Sequence, residues 1–390
     1  MEQLWITLPA IAPDYSGICS AMFDLGGMSI IHDASGCTGN YTGYDEPRWY
    51  GSNSMVFCSG LREIDAVLGR DDKLIDNIIK ASEYTDPTCY SLIGSPVPMV
   101  IGSDMRGIAC ELENITGKPA FGFSSNGIEL YNKGVSKAMM EVIKRFSKDK
   151  GEKVKGGINI LGTTPIDFSA NSNAEDIEKK LTENGYKVIA KMMMGASIEQ
   201  IENLTKAEVN LVVAESGLDA AEYLYKKYGI PYVAGTFVGR DNDELLEMIK
   251  LSALDGGIRV LGQKERGAKD KRVLIVGEQI LGNSLRASLE KRYPDIKADV
   301  ATMSGLRKSL SNEGDIDITG EYHLASLIHS GDYKVIVGDP LFNDLIEDEC
   351  NACLVEIPHV AISSKLYWNN YVRFASEETD NIIDEISSKF

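Results

Sequence analysis

Several common features are missing from this 390-residue sequence, and each absence excludes a class of function. No apolar run approaches the roughly 20 residues that a membrane-spanning helix needs. No basic run exceeds a few residues, and the formal charge of -18 would repel nucleic acid and anionic membrane surfaces. The start, MEQLWITLPAIAPDY, lacks the regions of a signal peptide. We therefore predict a cytoplasmic protein that binds neither nucleic acid nor a membrane.

Nucleotide-binding motifs are also missing. The segment 272–291, RVLIVGEQILGNSLRASLEK, has the pattern of a strand, a turn and a helix, with Gly277 and Gly282 in it. It contains neither G-x-G-x-x-G nor a phosphate-binding lysine, so a close strand-to-helix turn explains it better. If the protein's activity uses ATP, a partner must bind the nucleotide.

Cysteine is unevenly distributed along the chain. Seven cysteines at irregular spacing do not resemble a disulfide framework, so reduced thiols are expected. None lies between Cys110 and Cys350, which restricts thiolate chemistry to the first third and the C-terminal end. Cys89 opens a predicted strand and Cys110 lies inside a predicted helix, and we predict that both are core residues. Cys350 and Cys353 could form a metal or redox pair, or have no chemical role.

Predicted strands and helices alternate along most of the chain. This alternation predicts parallel sheets with right-handed crossovers and helices on both faces. Two charged, glycine-containing segments, residues 148–157 and 256–271, mark domain boundaries. The fold class is therefore predicted as α/β, with three doubly wound, Rossmann-like domains at residues 1–155, 156–268 and 269–390.

The most informative stretch is residues 13–41, PDYSGICSAMFDLGGMSIIHDASGCTGNY. A short apolar strand is predicted at residues 28–31, and the turn that follows it ends in Cys37, close to Gly36 and Gly39. Glycines beside a thiol let backbone amides approach whatever the sulfur binds, and such amides tune iron–sulfur clusters. A half-buried free cysteine in a loop would give the same local pattern.

Four ordered blocks resemble the component 1 proteins of nitrogenase and their relatives. The blocks are PDYSGI at 13–18, HDASGC at 32–37, CSGLREIDAVLGRDDKLIDNI at 58–78 and PVPMVIGSDMRGI at 96–108. The resemblance implies three domains around a central cleft, and a protomer that pairs with a like subunit or a paralogue. It also implies an iron–sulfur cluster, 4Fe-4S in type, at the subunit interface. A separate ATP-hydrolysing iron protein would deliver the electrons.

The sequence departs from the family pattern at three places. Pro13 and Pro96 stand where the family has cysteines, and proline has no side-chain donor for iron. The double-cubane cluster of nitrogenase is therefore not expected. Residues 213–215, VAE, stand where the cofactor-bearing subunit has the cysteine that holds its iron–molybdenum cofactor. No cysteine-held cofactor of that kind is expected either.

Cys37 keeps its register with the family and is the first predicted iron–sulfur ligand. Cys19, about one turn beyond the lost family position, and Cys58, at the head of the third block, are the next candidates. Two thiolates from each of two protomers would supply the four that a 4Fe-4S cluster needs. Four other residues of these blocks could line the site or serve only as caps and loop hydrogen-bonders. They are His32, Asp33, Glu63 and Asp104.

Two features outside these blocks remain open. Residues 120–132, AFGFSSNGIELYN, are predicted as a loop that enters the helix 135–146, and could either border the family's cofactor region or only lead into that helix. His359 follows the last predicted strand, where open parallel sheets place ligand residues. It is a candidate for lining the site, and the alternative is a structural histidine.

The leading hypothesis is a nitrogenase-like oxidoreductase component 1. It would take electrons from the iron protein through the cluster and reduce a substrate in the interdomain cleft. One alternative is a non-catalytic scaffold or assembly protein for a metallocofactor. Another is a small-molecule binding module that kept the fold and lost the cluster. The two prolines favour the last alternative, whereas Cys37 and Cys19 oppose it.

Overall fold

The computed structural model describes residues 5–50, 52, 54–149, 151–263, 267, 269–347 and 350–390. Within these residues the chain forms three parallel β-sheets with helices between the strands, so the predicted α/β class is confirmed. Parts of the two predicted boundary segments, at 150, 264–266 and 268, lie outside the described residues. No helix in the described part of the chain is long and apolar enough to cross a membrane.

The first unit contains a four-stranded sheet of order β2-β1-β3-β4, in which all neighbours are parallel. Its strands are β1 (Met28–Ile31), β2 (Met55–Cys58), β3 (Tyr90–Ile93) and β4 (Ala120–Phe123). Its helices are α1 (Asp14–Met22), α2 (Gly36–Asn40), α3 (Glu63–Leu68), α4 (Asp71–Thr85), α5 (Pro96–Ile101), α6 (Met105–Thr116) and α7 (Tyr131–Phe146). The strand predicted at 28–31 is confirmed, whereas the segment predicted as a loop from 120 begins with the edge strand β4.

The second unit contains a five-stranded parallel sheet of order β6-β5-β7-β8-β9. Its strands are β5 (Gly157–Thr163), β6 (Lys187–Met193), β7 (Val209–Val212), β8 (Tyr232–Ala234) and β9 (Arg259–Val260). Its helices are α8 (Pro165–Phe168), α9 (Asn171–Glu183), α10 (Ile198–Glu202), α11 (Leu218–Tyr228) and α12 (Asp243–Asp255). The strands β5 and β7 are buried along their whole length and are mostly apolar, and their buried asparagines Asn159 and Asn210 hydrogen-bond to each other at 2.8 Å.

The third unit repeats this architecture with the order β12-β11-β10-β13-β14. Its strands are β10 (Lys271–Val276), β11 (Ile296–Thr302), β12 (Ile316–Asp317), β13 (Val335–Gly338) and β14 (Cys353–Glu356). Its helices are α13 (Gln279–Arg292), α14 (Glu321–His329), α15 (Val360–Ser363) and α16 (Glu377–Ser388). The helix α16 is the last element of this unit.

The two cysteines predicted as core residues have different environments. Cys89 has no exposed surface and lies directly before β3, as predicted. Cys110 is exposed, so its assignment to the core is wrong. The helix α6 buries Met105, Ile108 and Leu112, which recur at helical spacing, and Cys110 lies on the other face. The apolar residues on either side of Cys110 in the sequence therefore do not indicate that Cys110 itself is exposed.

The segment before α1 packs against the third unit as well as the first. The Glu321 carboxylate, at the start of α14, accepts hydrogen bonds from the backbone N–H groups of Ile6, Thr7 and Leu8 at 2.7–3.0 Å. The backbone N–H of Ala12 donates to the carbonyl of Ala361 at 2.9 Å. Because these bonds join residues more than 300 positions apart, they tie the first and third units together.

The helices α1 and α7 touch backbone to backbone inside the first unit. A Cβ added to Gly17 would lie 2.0 Å from the carbonyl oxygen of Tyr131, and one added to Gly134 would lie 1.9 Å from that of Asp14. Only glycine fits at these two contacts. The close approach brings Tyr131, at the start of α7, to the other side of α1 from the turn that carries Cys37.

Candidate functional site

The carboxyl ends of three neighbouring strands form one edge of the first sheet. Ile31, the last residue of β1, is in register with Cys58 of β2 and with Ile93 of β3. The residues that follow these strands therefore meet at the same edge, where open parallel sheets bind their ligands. The predicted site residues His32 and Asp33 lie there.

Asp33 connects the two predicted ligands Cys37 and Cys58. Its carboxylate accepts hydrogen bonds from the backbone N–H of Cys37 at 2.8 Å and of Ser35 at 2.9 Å, and this fixes the turn. Its carbonyl oxygen accepts from the Cys58 thiol at 3.4 Å. On the sheet side, the hydroxyl of Ser95 donates to the same carboxylate at 3.3 Å. The structure thus places Cys37 and Cys58 at the same edge of the first sheet, where both bond to Asp33. We call these three residues the thiol edge.

Both thiols of the thiol edge are partly exposed. A Cβ added to Gly36 or Gly39 meets no atom within 4 Å, so the turn around Cys37 faces open space. Burial and then the charge of Asp33 raise the pKa of the Cys37 thiol, although a hydrogen bond with Tyr15 lowers this pKa in part. The metal-free thiol is therefore held in its neutral form, and metal binding would release its proton.

Cys19 lies elsewhere. It sits in α1 with 0% of its surface exposed and belongs to the hydrophobic core. Burial and then the charges of Glu46 and Asp45 raise the pKa of its thiol well above the usual value. Such a placement does not suit a ligand at a subunit interface, and we do not include Cys19 in the ligand set proposed below.

The other predicted residues of the first unit have local roles. The His32 imidazole Nδ1 lies 2.9 Å from the Ser59 hydroxyl, and burial lowers the pKa of this histidine. Asp104 caps α6, since its carboxylate accepts from the backbone N–H of Gly107 at 3.0 Å. Glu63 is the first residue of α3 and is exposed. Of this group, only His32 and Asp33 contact the thiol edge among the described contacts.

An exposed apolar surface lies beside the thiol edge. The short helices α3 and α5 line one small cavity together with His32, so the two helices are neighbours. Their outward side chains are apolar, and Val67 and Val100 are about three-quarters exposed. The members of this surface, which we call the apolar face, are Ile64, Val67, Leu68, Val97, Met99, Val100 and Ile101. Contiguous exposed apolar residues of this kind mark interaction sites.

A second cluster of polar residues lies where the three units meet. Tyr131 of the first unit donates its hydroxyl to the Asp167 carboxylate of the second unit at 2.5 Å. The carboxylate of Glu278, from the third unit, accepts from the backbone N–H of Glu215, in the second unit, at 2.7 Å. His359 of the third unit has its Nε2 3.4 Å from Asp167. We call this cluster the interdomain cleft.

The interdomain cleft disfavours negative charge. Burial and then the charge of Asp167 raise the pKa of Glu278 to about 8. Burial and then the charge of Asp167 also raise the pKa of Tyr131 well above its usual value. The charge of Glu215 is balanced by ion pairs with Arg307 and Lys133. Glu278 forms no ion pair among the described residues, so protonation avoids a buried charge there.

Comparison with known proteins agrees with this architecture. Residues 15–278 match the model of the family described as nitrogenase component 1 type oxidoreductase. The chain belongs to that family. It is 30% identical over 211 residues to the nitrogenase molybdenum-iron protein alpha chain of Clostridium pasteurianum. The matched region covers 51% of this chain and 38% of the relative. The family thus includes nitrogenase itself.

Other relatives of this chain are a cofactor biosynthesis protein and a reductase subunit. The nitrogenase iron-molybdenum cofactor biosynthesis protein NifE of Clostridium pasteurianum is 28% identical over 66% of this chain and 55% of its own length. One chain of the light-independent protochlorophyllide reductase of Nostoc punctiforme is 24% identical over 44% of this chain and 36% of its own. The chain therefore spans about half or less of these relatives. The family includes oxidoreductases and cofactor biosynthesis proteins.

The fold of this component 1 protein is also found in a solved structure. "Nitrogenase Cp1 at pH 6.5" superposes with a TM-score of 0.68 at 16% identity, covering 100% of this chain and 90% of that one. This likeness concerns the fold, which is three Rossmann-like units.

The donor chemistry of the thiol edge suits an iron–sulfur cluster held between two component 1 chains. Among the described residues, no three His, Cys, Asp or Glu side chains are placed to hold a metal ion within one chain. Cys37 and Cys58 are both partly exposed, and Asp33 accepts hydrogen bonds from the backbone N–H of Cys37 and from the thiol of Cys58. A cluster held by four thiolates would take the other two from a second chain. When bound, such a cluster provides one-electron transfer.

The C-x-x-C pair lies away from both sites. Cys353 is the first residue of β14, so it lies at the opposite edge of the third sheet from His359, which follows the carboxyl end of that strand. The Cys350 thiol donates to the carbonyl of Ile328 at 3.4 Å. Both cysteines are partly exposed and neither forms a disulfide. A metal or redox role for the pair stays a prediction.

Most of the interdomain cleft was not predicted. The sequence names His359 as a candidate, and Tyr131 lies in the segment 120–132 that could border the cofactor region, whereas the sequence does not single out Asp167 or Glu278. A usable signal was present: Glu278 comes two residues after β10, and Asp167 follows β5 by four residues, so both extend from carboxyl ends of buried strands. These residues are hard to predict because each comes from a different part of the chain and no local motif joins them.

Proposed function

We propose that this component 1 protein is an electron-transferring oxidoreductase subunit. It receives electrons from an ATP-hydrolysing iron protein through an iron–sulfur cluster, 4Fe-4S in type, and reduces a substrate in the interdomain cleft. The observation that carries the proposal is the placement of Cys37 and Cys58 at one sheet edge, both partly exposed and both bonded to Asp33. A structural role would not require two partly exposed cysteines at one sheet edge.

The proposed cluster lies between two chains. Each protomer contributes Cys37 and Cys58, so that a pair of chains supplies four thiolates. The second chain is either another copy of this protein or a paralogue with its own cysteines. Gly36 and Gly39 leave the turn open to a partner, because no described atom beyond their immediate chain neighbours lies within 4 Å of where their Cβ atoms would be.

The apolar face is the proposed docking surface of the iron protein. It lies beside the thiol edge, and its exposed valines have no partner among the described residues that would cover them. An iron protein docked on the apolar face would be separated from the proposed cluster only by the edge of the first unit. The sequence has no phosphate-binding loop, so the nucleotide belongs on that partner.

The path from the thiol edge to the interdomain cleft crosses α1. Tyr15 on α1 interacts with Cys37, and Gly17 on the same helix touches the backbone of Tyr131. Tyr131 in turn donates to Asp167 in the cleft. One helix and one helix contact therefore separate the two sites, which supports electron transfer between them.

The alternatives make different predictions. A metallocofactor scaffold, as the relationship to NifE allows, would exchange metal without turning over a substrate. A small-molecule binding module would bind its ligand in the cleft and hold no iron. The alanine and glutamate after β7, Ala214 and Glu215, offer no thiol to a cofactor in the cleft, which favours a substrate there over a cysteine-held cofactor.

The test is iron and acid-labile sulfide analysis, with electron paramagnetic resonance, on anaerobically purified and reconstituted protein. We expect a signal from the dithionite-reduced protein that Cys37→Ser and Cys58→Ser each abolish. Cys110→Ser is the matched control, since Cys110 is an exposed thiol outside the site, and it should keep the signal. Protein that stays metal-free after reconstitution would contradict the proposal.

A further inference from the structure

The first sheet has one strand fewer than the other two. Its order is β2-β1-β3-β4, whereas the second sheet continues past β8 to a fifth strand, β9, and the third continues past β13 to β14. Both of these fifth strands run parallel to their neighbours. In the first sheet no described strand pairs with the outer side of β4, so β4 is an edge strand.

Every second residue of the β4 segment turns its backbone toward β3. The carbonyl of Pro119 accepts from the N–H of Tyr90, and the carbonyl of Phe123 accepts from that of Gly94, each at 2.9 Å. In a parallel ladder the residues between these turn their N–H and C=O groups the other way. Gly122, in the middle of the strand and partly exposed, therefore presents both of its backbone groups to the open edge.

A side chain already bonds to part of this edge. The Glu113 carboxylate, from α6, accepts from the outward N–H of Ala120 at 3.0 Å and pairs with Arg145 of α7 at 2.5 Å. It thus bonds to β4 as the carbonyl of a fifth strand would. The outward N–H of Gly122 has no such partner among the described contacts. Because edge groups of this kind are ready to pair, the strand is open to another chain beyond Ala120.

Two adjoining grooves run along the open edge between α6 and α7. Their volumes are about 590 and 530 Å³, and both are lined by Gly122 and Phe123. Arg106, from α6, and Lys144, from α7, also line both grooves, and Met140 of α7 lines the larger one. Volumes of this size are typical of ligand sites. The space beside β4 is therefore large enough for an extended peptide segment.

The two faces of β4 differ in what they present. On one face Phe121 packs against Phe146 of α7, with ring centroids 5.9 Å apart. On the other face a Cβ added to Gly122 would lie 2.1 Å from the carbonyl oxygen of Met105 in α6. Because side chains of a strand alternate between the faces of a sheet, a strand added beside β4 would point its side chains alternately toward α7 and α6.

Charge indicates which side chains the added strand would carry. The chain has 58 acidic and 40 basic residues, yet basic residues outnumber acidic ones in the two grooves. The basic residues are Arg106, Lys133, Lys137, Lys144 and Arg145. The acidic ones are all in ion pairs, which are Glu113 with Arg145, Glu129 with Lys137, Glu141 with Lys144 and Asp219 with Arg307. Arg106 is exposed and forms no ion pair among the described residues, so an acidic side chain suits the α6 side.

We propose that the open edge of β4 binds an extended segment of a partner protein, which adds to the first sheet as a fifth strand. Its acidic residues face Arg106, and its apolar residues face Phe123 and Met140. In strand addition of this kind, backbone hydrogen bonds supply affinity and alternate side chains supply specificity. The site is separate from the thiol edge, because β4 lies at the opposite side of the sheet from β2, which carries Cys58. It needs no cluster and goes beyond the proposed function.

The first test measures binding of the peptide acetyl-Gly-Val-Glu-Val-Glu-Val-Gly-amide to the metal-free full-length protein. Fluorescence anisotropy of the labelled peptide should show saturable binding. We expect the affinity to fall about tenfold in Arg106→Glu, because an attraction becomes a repulsion. Arg62→Glu, at an exposed arginine that lines neither groove, is the matched control and should bind as the wild type does. A wild-type protein that does not bind, or Arg106→Glu with unchanged affinity, overturns the proposal.

The second test asks whether the peptide pairs through its backbone. Methyl groups on the valine nitrogens of one peptide, and on the glutamate nitrogens of another, each remove the hydrogen-bond donors from one side of the strand. A strand added at an edge uses only one side. We therefore expect one of the two methylated peptides to lose binding and the other to keep it. Equal affinities of the two peptides would overturn strand addition.

The third test locates the bound peptide. Hydrogen exchange should show that the Gly122 N–H exchanges rapidly in the free protein and slowly in the complex. Cys110, an exposed thiol on the groove wall, should be alkylated more slowly with the peptide bound, whereas Cys350 should react at an unchanged rate. Protection of neither Gly122 nor Cys110 overturns the proposal. Self-association of the protein that Arg106→Glu abolishes, with no peptide present, would make a second copy the occupant and overturn it too.

Discussion

The thiol edge and the interdomain cleft follow the same rule of construction and differ in chemistry. Both use residues that follow the carboxyl ends of parallel strands. At the thiol edge these residues are cysteines that remain partly exposed, whereas in the cleft they are acids with almost no exposed surface. The difference teaches that one fold can place accessible thiols at one sheet edge and water-excluded acids at another. Under the proposed function, electrons would enter at the first of these sites and the substrate would be reduced at the second.

The contact between α1 and α7 joins the thiol edge to the interdomain cleft. We therefore expect its disruption to cause the largest loss of stability. Gly134→Ala would place a Cβ 1.9 Å from the carbonyl oxygen of Asp14, so the two helices would have to move apart. We expect a loss of about 3 kcal/mol or more in the free energy of unfolding, measured by urea denaturation. Gly43→Ala, whose Cβ meets nothing within 4 Å, is the control and should change little. Similar stabilities for the two variants would show that the helix contact is not tight.

Removing one hydroxyl tests the cleft alone. In Tyr131→Phe the Asp167 carboxylate loses a hydrogen bond of 2.5 Å, and we expect a loss of about 2 kcal/mol in unfolding free energy, which is typical for a bond to a charged group. Tyr228→Phe is the matched control, because the Tyr228 hydroxyl makes a 3.3 Å contact with Ser147 and a hydrogen bond with the exposed Lys227, and neither partner is a buried carboxylate. An equal loss in both variants would contradict the assignment of Tyr131 to the cleft network.

The pH dependence of stability should separate the two buried glutamates. The pKa of Glu278 is raised to about 8, so its contribution is fully present below the unfolded pKa near 4.5 and is lost as pH rises toward 8. The slope is at most about 1.4 kcal/mol per pH unit. The pKa of Glu321 is lowered, so its contribution is present above the unfolded pKa and is lost as pH falls below it.

Urea denaturation between pH 4 and 9 measures this contrast. Glu278→Gln should flatten the decline above pH 4.5, whereas Glu321→Gln should flatten only the decline at acid pH. A wild-type profile that rises between pH 5 and 8, unchanged by Glu278→Gln, would mean that Glu278 is ionised in the folded protein.

Sequence reasoning predicted the features that depend on local pattern. The strand at 28–31, the turn around Cys37 and the alternation of strands and helices all follow from spacing and composition, and the family blocks add their order. Exposure was harder to predict. Cys110 is on the surface because only one face of α6 packs on the sheet, and the sequence around it does not say which side chain points outward.

The cleft could not be predicted for a different reason. Tyr131, Asp167, Glu278 and His359 are separated by dozens of residues, and they meet only because three sheets pack around one point. The raised pKa of Glu278 is a property of that packing and has no counterpart in local sequence. Cys19 illustrates the reverse case, since its sequence position near the family motif suggested a ligand, whereas the fold turns its side chain into the core.

The central claim is that two chains share one iron–sulfur cluster through Cys37 and Cys58. Native mass spectrometry of the anaerobically reconstituted protein tests it most directly, because it weighs the assembly and its metal together. We predict an assembly of two chains, either two copies of this one or this chain with a paralogue, that carries one 4Fe-4S cluster and loses it in Cys37→Ser. A cluster on isolated single chains, or a dimer with no added mass, would contradict the account.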